Sequence, residues 1–314
     1  MKAVSRLLSL VMVLVFVLSA CAPTATPTPA YDPDVLYVNL TWHQHQPMYY
    51  KDADGVYTRP WVRVHATKDY YDMASTVAQY PNVHVTFNLT PVLIRQLDDF
   101  ANNGAKDLYW VMAEKPAATL SDADKRFILT RFYDVNWNNI IARFPRYQEL
   151  LEKRGGTDDA AINKAMTTFT EQDFRDLQMW FNLAWFDPDF LDQEPLKALV
   201  EKGRDFTEED KVVLFNKARE VIQGVIPLHK ELQDKGQIEV ITTPYAHPIL
   251  PLIYDTNLAK VGNPSAEMPE RFSYPNDAIV HLEKSVQVYK DHYGVAPRGL
   301  WPGEGSVAQE IVPL

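Results

Sequence analysis

Residues 35–47 read Val35-Leu36-Tyr37-Val38-Asn39-Leu40-Thr41-Trp42-His43-Gln44-His45-Gln46-Pro47. From Val35 to Trp42 the side chains alternate. Leu36, Val38, Leu40 and Trp42 fall on one side, and Tyr37, Asn39, Thr41 and then His43 on the other, which is the period of two of a β-strand. The same alternation returns at 83–90, where Val83, Val85, Phe87 and Leu89 oppose His84, Thr86 and Asn88. A third strand is predicted over Ile238 to Thr243 and a short fourth over Arg298 to Trp301. In a barrel of parallel strands the apolar side packs on surrounding helices and the polar side lines the lumen. By that phase Trp42 belongs to the helix-packing core.

Between the second and third strands the sequence reads as helices. Ser121, Thr170 and Thr207 each have an Asp three residues on (Asp124, Asp173 and Asp210), the N-terminal capping pattern. The last of these opens a helix with Ala218, Val221, Ile222, Val225 and Leu232 at helical spacing, a proline at Pro227 expected to kink it, and Gly236 as its stop. Strands separated by helical segments imply parallel β/α topology, and such folds place their chemistry at the C-terminal ends of the strands.

Polar groups stand at those ends. His43 and His45 follow the first strand, Pro244-Tyr245-Ala246-His247-Pro248 follows the third, and Trp301-Pro302-Gly303-Glu304-Gly305-Ser306 follows the fourth, with Glu239 inside the third strand itself. Each has a plain structural alternative. A histidine at a strand end is often only hydrogen-bonded, Glu239 suits a buried carboxylate held by backbone donors, and Glu304 suits the first turn of a helix beginning near Gly305. As a binding set, His43, His45, Glu239 and His247 offer hydrogen-bond donors and acceptors, and Trp301 offers a flat apolar surface. Trp61, Trp110, Trp137, Trp180 and Trp185 sit mostly at helical spacing and read as packing residues.

The N-terminus has a different character. Lys2 and Arg6 precede an apolar run from Leu7 to Leu18 broken only by Ser9, too short to span a bilayer and suited to an export signal. Leu18-Ser19-Ala20-Cys21 resembles a bacterial lipobox, so residues 1–20 read as a lipoprotein signal peptide and Cys21 as the lipidated residue; an ordinary signal peptide cut near Ala20 is the alternative. Residues 21–33, rich in Pro and Thr, read as an extended tether. The expected locale is the outer side of the bacterial cytoplasmic membrane or the cell surface, with the membrane as partner through Cys21. Cys21 is the chain's single cysteine, which excludes an intramolecular disulfide. The formal net charge of −10 among 314 residues argues against a nucleic-acid partner.

Taken together, the motifs resemble glycoside hydrolase family 57 in family order. His45-Gln46-Pro47 is similar to its first motif, Gly236-Gln237-Ile238-Glu239 to its second, and Trp301-Pro302-Gly303-Glu304 to its third, whose glutamate is the nucleophile. The stretch from Pro60 to Asp72 is similar to the amylopullulanase and α-amylase members. The resemblance covers roughly Leu36 to Leu314 and implies an α/β fold, an incomplete seven-stranded (β/α) barrel, here truncated after about the fourth strand, with the long helical insertion between strands 2 and 3. It also implies retaining hydrolysis of α-1,4 or α-1,6 bonds of an α-glucan or maltooligosaccharide substrate, with Glu304 catalytic, no cofactor and no required metal. Residues 34–314 are expected to be the N-terminal part of the catalytic domain. The family's general acid/base aspartate is expected beyond Leu314, which would leave the chain inactive by itself. Two other readings stay open: a metal-dependent hydrolase of the amidohydrolase or deacetylase kind, with His43, His45, Glu239 and His247 as ligands, and a tethered glycan-binding lipoprotein without catalysis.

Overall fold

The computed structural model describes residues 32–314. The export signal, Cys21 and the tether up to residue 31 lie outside the described residues. The chain divides into two units, residues 1–38 and 39–314. Of the first, the described part is a short exposed segment that opens with a turn closed by the Val35 N–H on the Asp32 carbonyl at 3.2 Å. Among the described residues no helix is long and apolar enough to cross a membrane.

The second unit carries a three-stranded parallel sheet in the order β1 (Thr41–Gln44), β2 (Val85–Leu89), β3 (Ile238–Ile241). Register pairs His43 with Asn88 and Asn88 with Ile241. The first strand is shorter than the alternation predicts. Its ladder to β2 starts at Thr41 opposite Thr86, because a strand needs a neighbour to take its N–H and C=O groups and β2 itself begins at Val85. Leu36, Val38 and Leu40 are therefore exposed, and Trp42, expected in the core, is 47% exposed on this edge strand. The fourth strand is likewise reduced to a single parallel bridge, Thr242 to Leu300, flanked by the Thr242 N–H on Gly299 O and the Trp301 N–H on Thr242 O.

The apolar face of β2 and β3 behaves as predicted. Val85, Phe87, Leu89, Ile238 and Val240 pack with Ala74 of helix α1 (Tyr71–Ala78) and Ile94 of α2 (Pro91–Asn102). Between β2 and β3 every regular element is a helix. These include α3 (Asp122–Arg131), α4 (Glu171–Leu183) and the long α5 (Glu208–Asp234), and Ser121, Thr170 and Thr207 form full capping boxes on them. All five apolar positions anticipated on α5 are buried. The helix runs through Pro227 as one element and ends before Gly236, at φ +73°. Leu232 of α5 and Tyr289 and Tyr293 of α6 (Pro275–Tyr293) complete the packing against the sheet.

A larger core lies among the helices themselves, around Trp110, Phe132, Trp180 and Phe181. Arg63 is buried in it, 2.5 Å from Asp107 and 2.9 Å from Asn182. A buried guanidinium is tolerated only when paired in this way. Trp110, Trp180 and Trp185 are packing residues as expected, whereas Trp137 is 43% exposed.

Candidate active site

The polar ends of the strands converge. His43, at the third position of β1, places its Nδ1 2.5 Å from Asn88 Oδ1 on β2. The other end of the Asn88 amide donates to Thr242 O at 3.0 Å, and the same carbonyl accepts the Trp301 N–H at 2.8 Å. With its NH2 committed to a carbonyl, Asn88 presents oxygen to His43, so the His43 Nδ1 is the donor in that bond. Two residues on, His45 begins a loop held by the Gln96 amide on Pro47 O at 3.0 Å and by Gln46, which bonds Tyr70 and Tyr49.

The loop after β3 is pinned by α6. Ser285 Oγ donates to Thr243 O at 2.5 Å and lies 2.9 Å from Thr242 Oγ1. The chain then turns sharply, the His247 N–H reaching Pro244 O at 2.8 Å with His247 itself at φ +56°. Against this turn packs the Trp301–Ser306 segment, backbone to backbone. A Cβ on Gly303 would stand 2.1 Å from Pro248 O, so only glycine fits there. That approach carries Glu304 to the edge of the recess, at φ +55° and in one short 3-10 turn instead of the helix start considered from sequence.

The outcome is a compact constellation. The His45 and His247 rings are 4.3 Å apart, those of His43 and His247 4.9 Å, and Trp301 stacks on His43 at 5.6 Å and 26°. Glu304 Oε1 lies 3.4 Å from His247 Nδ1, within ion-pair reach but without hydrogen-bond alignment. Burial, then the neighbouring His247 and His43, push His45 down to about 4 against the opposing pull of Glu304. His247 is lowered by burial first and by His43 second. Both imidazoles are thus neutral at pH 7 and act through hydrogen bonds or lone pairs, not charge.

Of the residues singled out from sequence, His43, His45, His247, Trp301 and Glu304 are brought together. Glu239 is not among their contacts. Register sets it opposite Thr86, two residues and so about 7 Å before the His43–Asn88 level on the same sheet face, with Arg298 as its charged partner at 3.8 Å. Asn88 was visible in the sequence only as a polar position in the alternation; its link to both His43 and Thr242 needed the register.

Residues 39–314 match the family model described as Glycosyl hydrolase family 57. No curated protein matches the chain. Among solved structures the chain is similar to TK1436, a branching enzyme of Thermococcus kodakaraensis solved with glucose, at 18% identity over 85% of this chain and 33% of that one, TM-score 0.37. It is also similar to the α-amylase AmyC of Thermotoga maritima, at 15% identity, 85% and 35% coverage and TM-score 0.37, and to a branching enzyme of Pyrococcus horikoshii, at 18%, 85% and 34% and TM-score 0.38. The chain spans about a third of the length of each of these. With a family match over the whole second unit, the chain belongs to glycosyl hydrolase family 57.

Proposed function

We propose that this chain carries the sugar-binding and nucleophilic part of a retaining glycoside hydrolase acting on α-glucans, with Glu304 as the attacking carboxylate. The observation that carries this reading is the Glu304 carboxylate held 3.4 Å from a neutral His247, beside two further imidazoles and an exposed indole. A neutral neighbour does not tie the carboxylate into an ion pair, so it is free to attack. His43 Nε2 can accept a sugar hydroxyl proton, and Trp301, 37% exposed, offers a face to the ring. Retaining hydrolysis needs a second carboxyl group roughly 5–5.5 Å from the first to protonate the leaving oxygen. In this reading a second carboxyl group supplies that proton, and β1–β3 with the Thr242–Leu300 bridge are part of a seven-stranded (β/α) barrel. In the same reading the domain is tethered through Cys21 on the outer side of the bacterial cytoplasmic membrane or at the cell surface.

The nucleophile can be tested separately from the acid. An α-glucosyl fluoride needs no protonation: the Glu304 carboxylate attacks the anomeric carbon, the C–F bond breaks with fluoride taking the electron pair, and a glycosyl ester forms. The expected result is one hexosyl adduct on the peptide containing Glu304, detected by mass spectrometry, and none in Glu304→Gln. An adduct on another residue, or none on a folded chain that binds maltooligosaccharide, overturns the assignment; the latter result favours a glycan-binding protein without catalysis.

A further inference from the structure

We infer that His43, His45 and His247 form a three-imidazole site for one borderline divalent transition-metal ion, zinc(II) being the type case, in the recess that takes the sugar. Competition between ion and sugar rests on the reading above; the metal site does not. The three residues each offer a ring nitrogen, and these atoms lie within 4.8 Å of one another.

The second observation is His247 itself. It is only 7% exposed, and neither of its ring nitrogens has a hydrogen-bond partner, although its ring faces those of His43 and His45. A buried polar atom left without a partner costs on the order of 1–3 kcal/mol, so such a pair of nitrogens calls for a ligand. The third observation is the bond from His43 Nδ1 to Asn88 Oδ1. Metal-bound histidines commonly give their other ring N–H to an oxygen that fixes tautomer and ring orientation, and Asn88, itself anchored on Thr242 O, does this here.

Donor chemistry selects the ion. Three imidazole nitrogens suit zinc, copper or nickel, whereas calcium and magnesium demand oxygen. Three protein nitrogens leave a fourth tetrahedral position open. Nitrogens around one zinc ion at about 2.0–2.1 Å stand about 3.3 Å apart, so the rings must close by an ångström or so from their present spacing. His45, less buried than His247 and without the bond to Asn88 that holds His43, is the one able to move.

The experiment uses the whole chain, stripped with chelator and titrated with zinc chloride by calorimetry, in parallel with cobalt(II) absorption as a spectroscopic report of nitrogen ligation. One ion per chain is expected. His45→Ala should weaken it about 30-fold or more and Asn88→Ala roughly 10-fold. The exposed His84 serves as control, and His84→Ala should change nothing. His43→Gln supplies a second ligand variant, and circular dichroism checks that each variant is folded. Absence of saturable zinc, or zinc binding undiminished in folded His45→Ala and His43→Gln, overturns the site. Zinc-loaded chain that still binds maltooligosaccharide at full affinity overturns the competition. A chain that takes one zinc with the expected variant pattern but binds no maltooligosaccharide when metal-free leaves the metal site standing and removes the α-glucan reading.

Discussion

His247 and Glu304 meet at 3.4 Å, and both hold left-handed backbone, at φ +56° and +55°. Among the described residues the only other non-glycine position with positive φ is Asp205. Such conformations cost of order 1–3 kcal/mol each and persist where surrounding structure enforces them. Two of three falling on one contact pair marks the recess as the place where local strain is held. Enforcement comes from two contacts: the Gly303 backbone against Pro248 on one side, and the Ser285 hydroxyl donating to the Thr243 carbonyl on the other.

Gly303→Ala should therefore disable the site out of proportion to its size. Its Cβ would stand 2.1 Å from Pro248 O, and the two loops must part. Gly305→Ala is the comparison, with open space around it and a conformational cost of roughly 1–2 kcal/mol from its φ of +70°. The fluoride-labelling rate should fall at least about tenfold further in Gly303→Ala than an equal loss of stability in Gly305→Ala would produce. Equal labelling rates in the two variants would show that the loop contact does not position Glu304.

Asn88→Ala should release His43 from a single tautomer. The buried amide is lost and the Thr242 carbonyl keeps only the Trp301 N–H, a cost of about 1–3 kcal/mol in urea unfolding. Nitrogen-15 spectra of the imidazoles should show the Nδ1–H form of His43 in the parent and a mixture in the variant. A parent already mixed would refute the lock.

Acid should destabilise the chain through His229. It is fully buried in α5, with Nδ1 2.8 Å from Val225 O and the ring edge-on to Phe87 at 5.0 Å, and burial lowers it to about 4. The unfolded residue, near 6.5, takes up a proton first, so the stabilisation is complete above pH 6.5 and is lost as pH falls towards 4. The loss is on the order of 3 kcal/mol. His229→Leu should make the urea midpoint fall less steeply between pH 6.5 and 4.5, leaving the shares of His45, itself lowered to about 4, and of His247 and His281, which act in the same direction. An unchanged slope would contradict this.

Cys21→Ser should free the protein from membranes without altering its thermal unfolding. Stable anchoring takes more than one acyl chain, which a lipidated N-terminal cysteine supplies and serine does not. Sedimentation of the serine variant with membranes in detergent-free lysate would defeat the lipoprotein reading.

What the sequence determined by itself was local. Capping boxes join residues three apart, the stripe on α5 repeats within a turn, and the alternation of β2 and β3 sorts side chains to two faces; each is set by interactions inside a few residues. The motifs also named His45, Trp301 and Glu304, and position at the strand ends named His43 and His247, the five side chains that converge. Tertiary structure decided what depends on distant partners. The length of β1 and the exposure of Trp42 follow from where β2 offers its ladder, and the placing of Glu239 beside Arg298 follows from strand register. The role of Asn88 links residues 45 and 154 positions apart. Gly303 is required because another backbone lies against it, a condition that no spacing along the chain encodes.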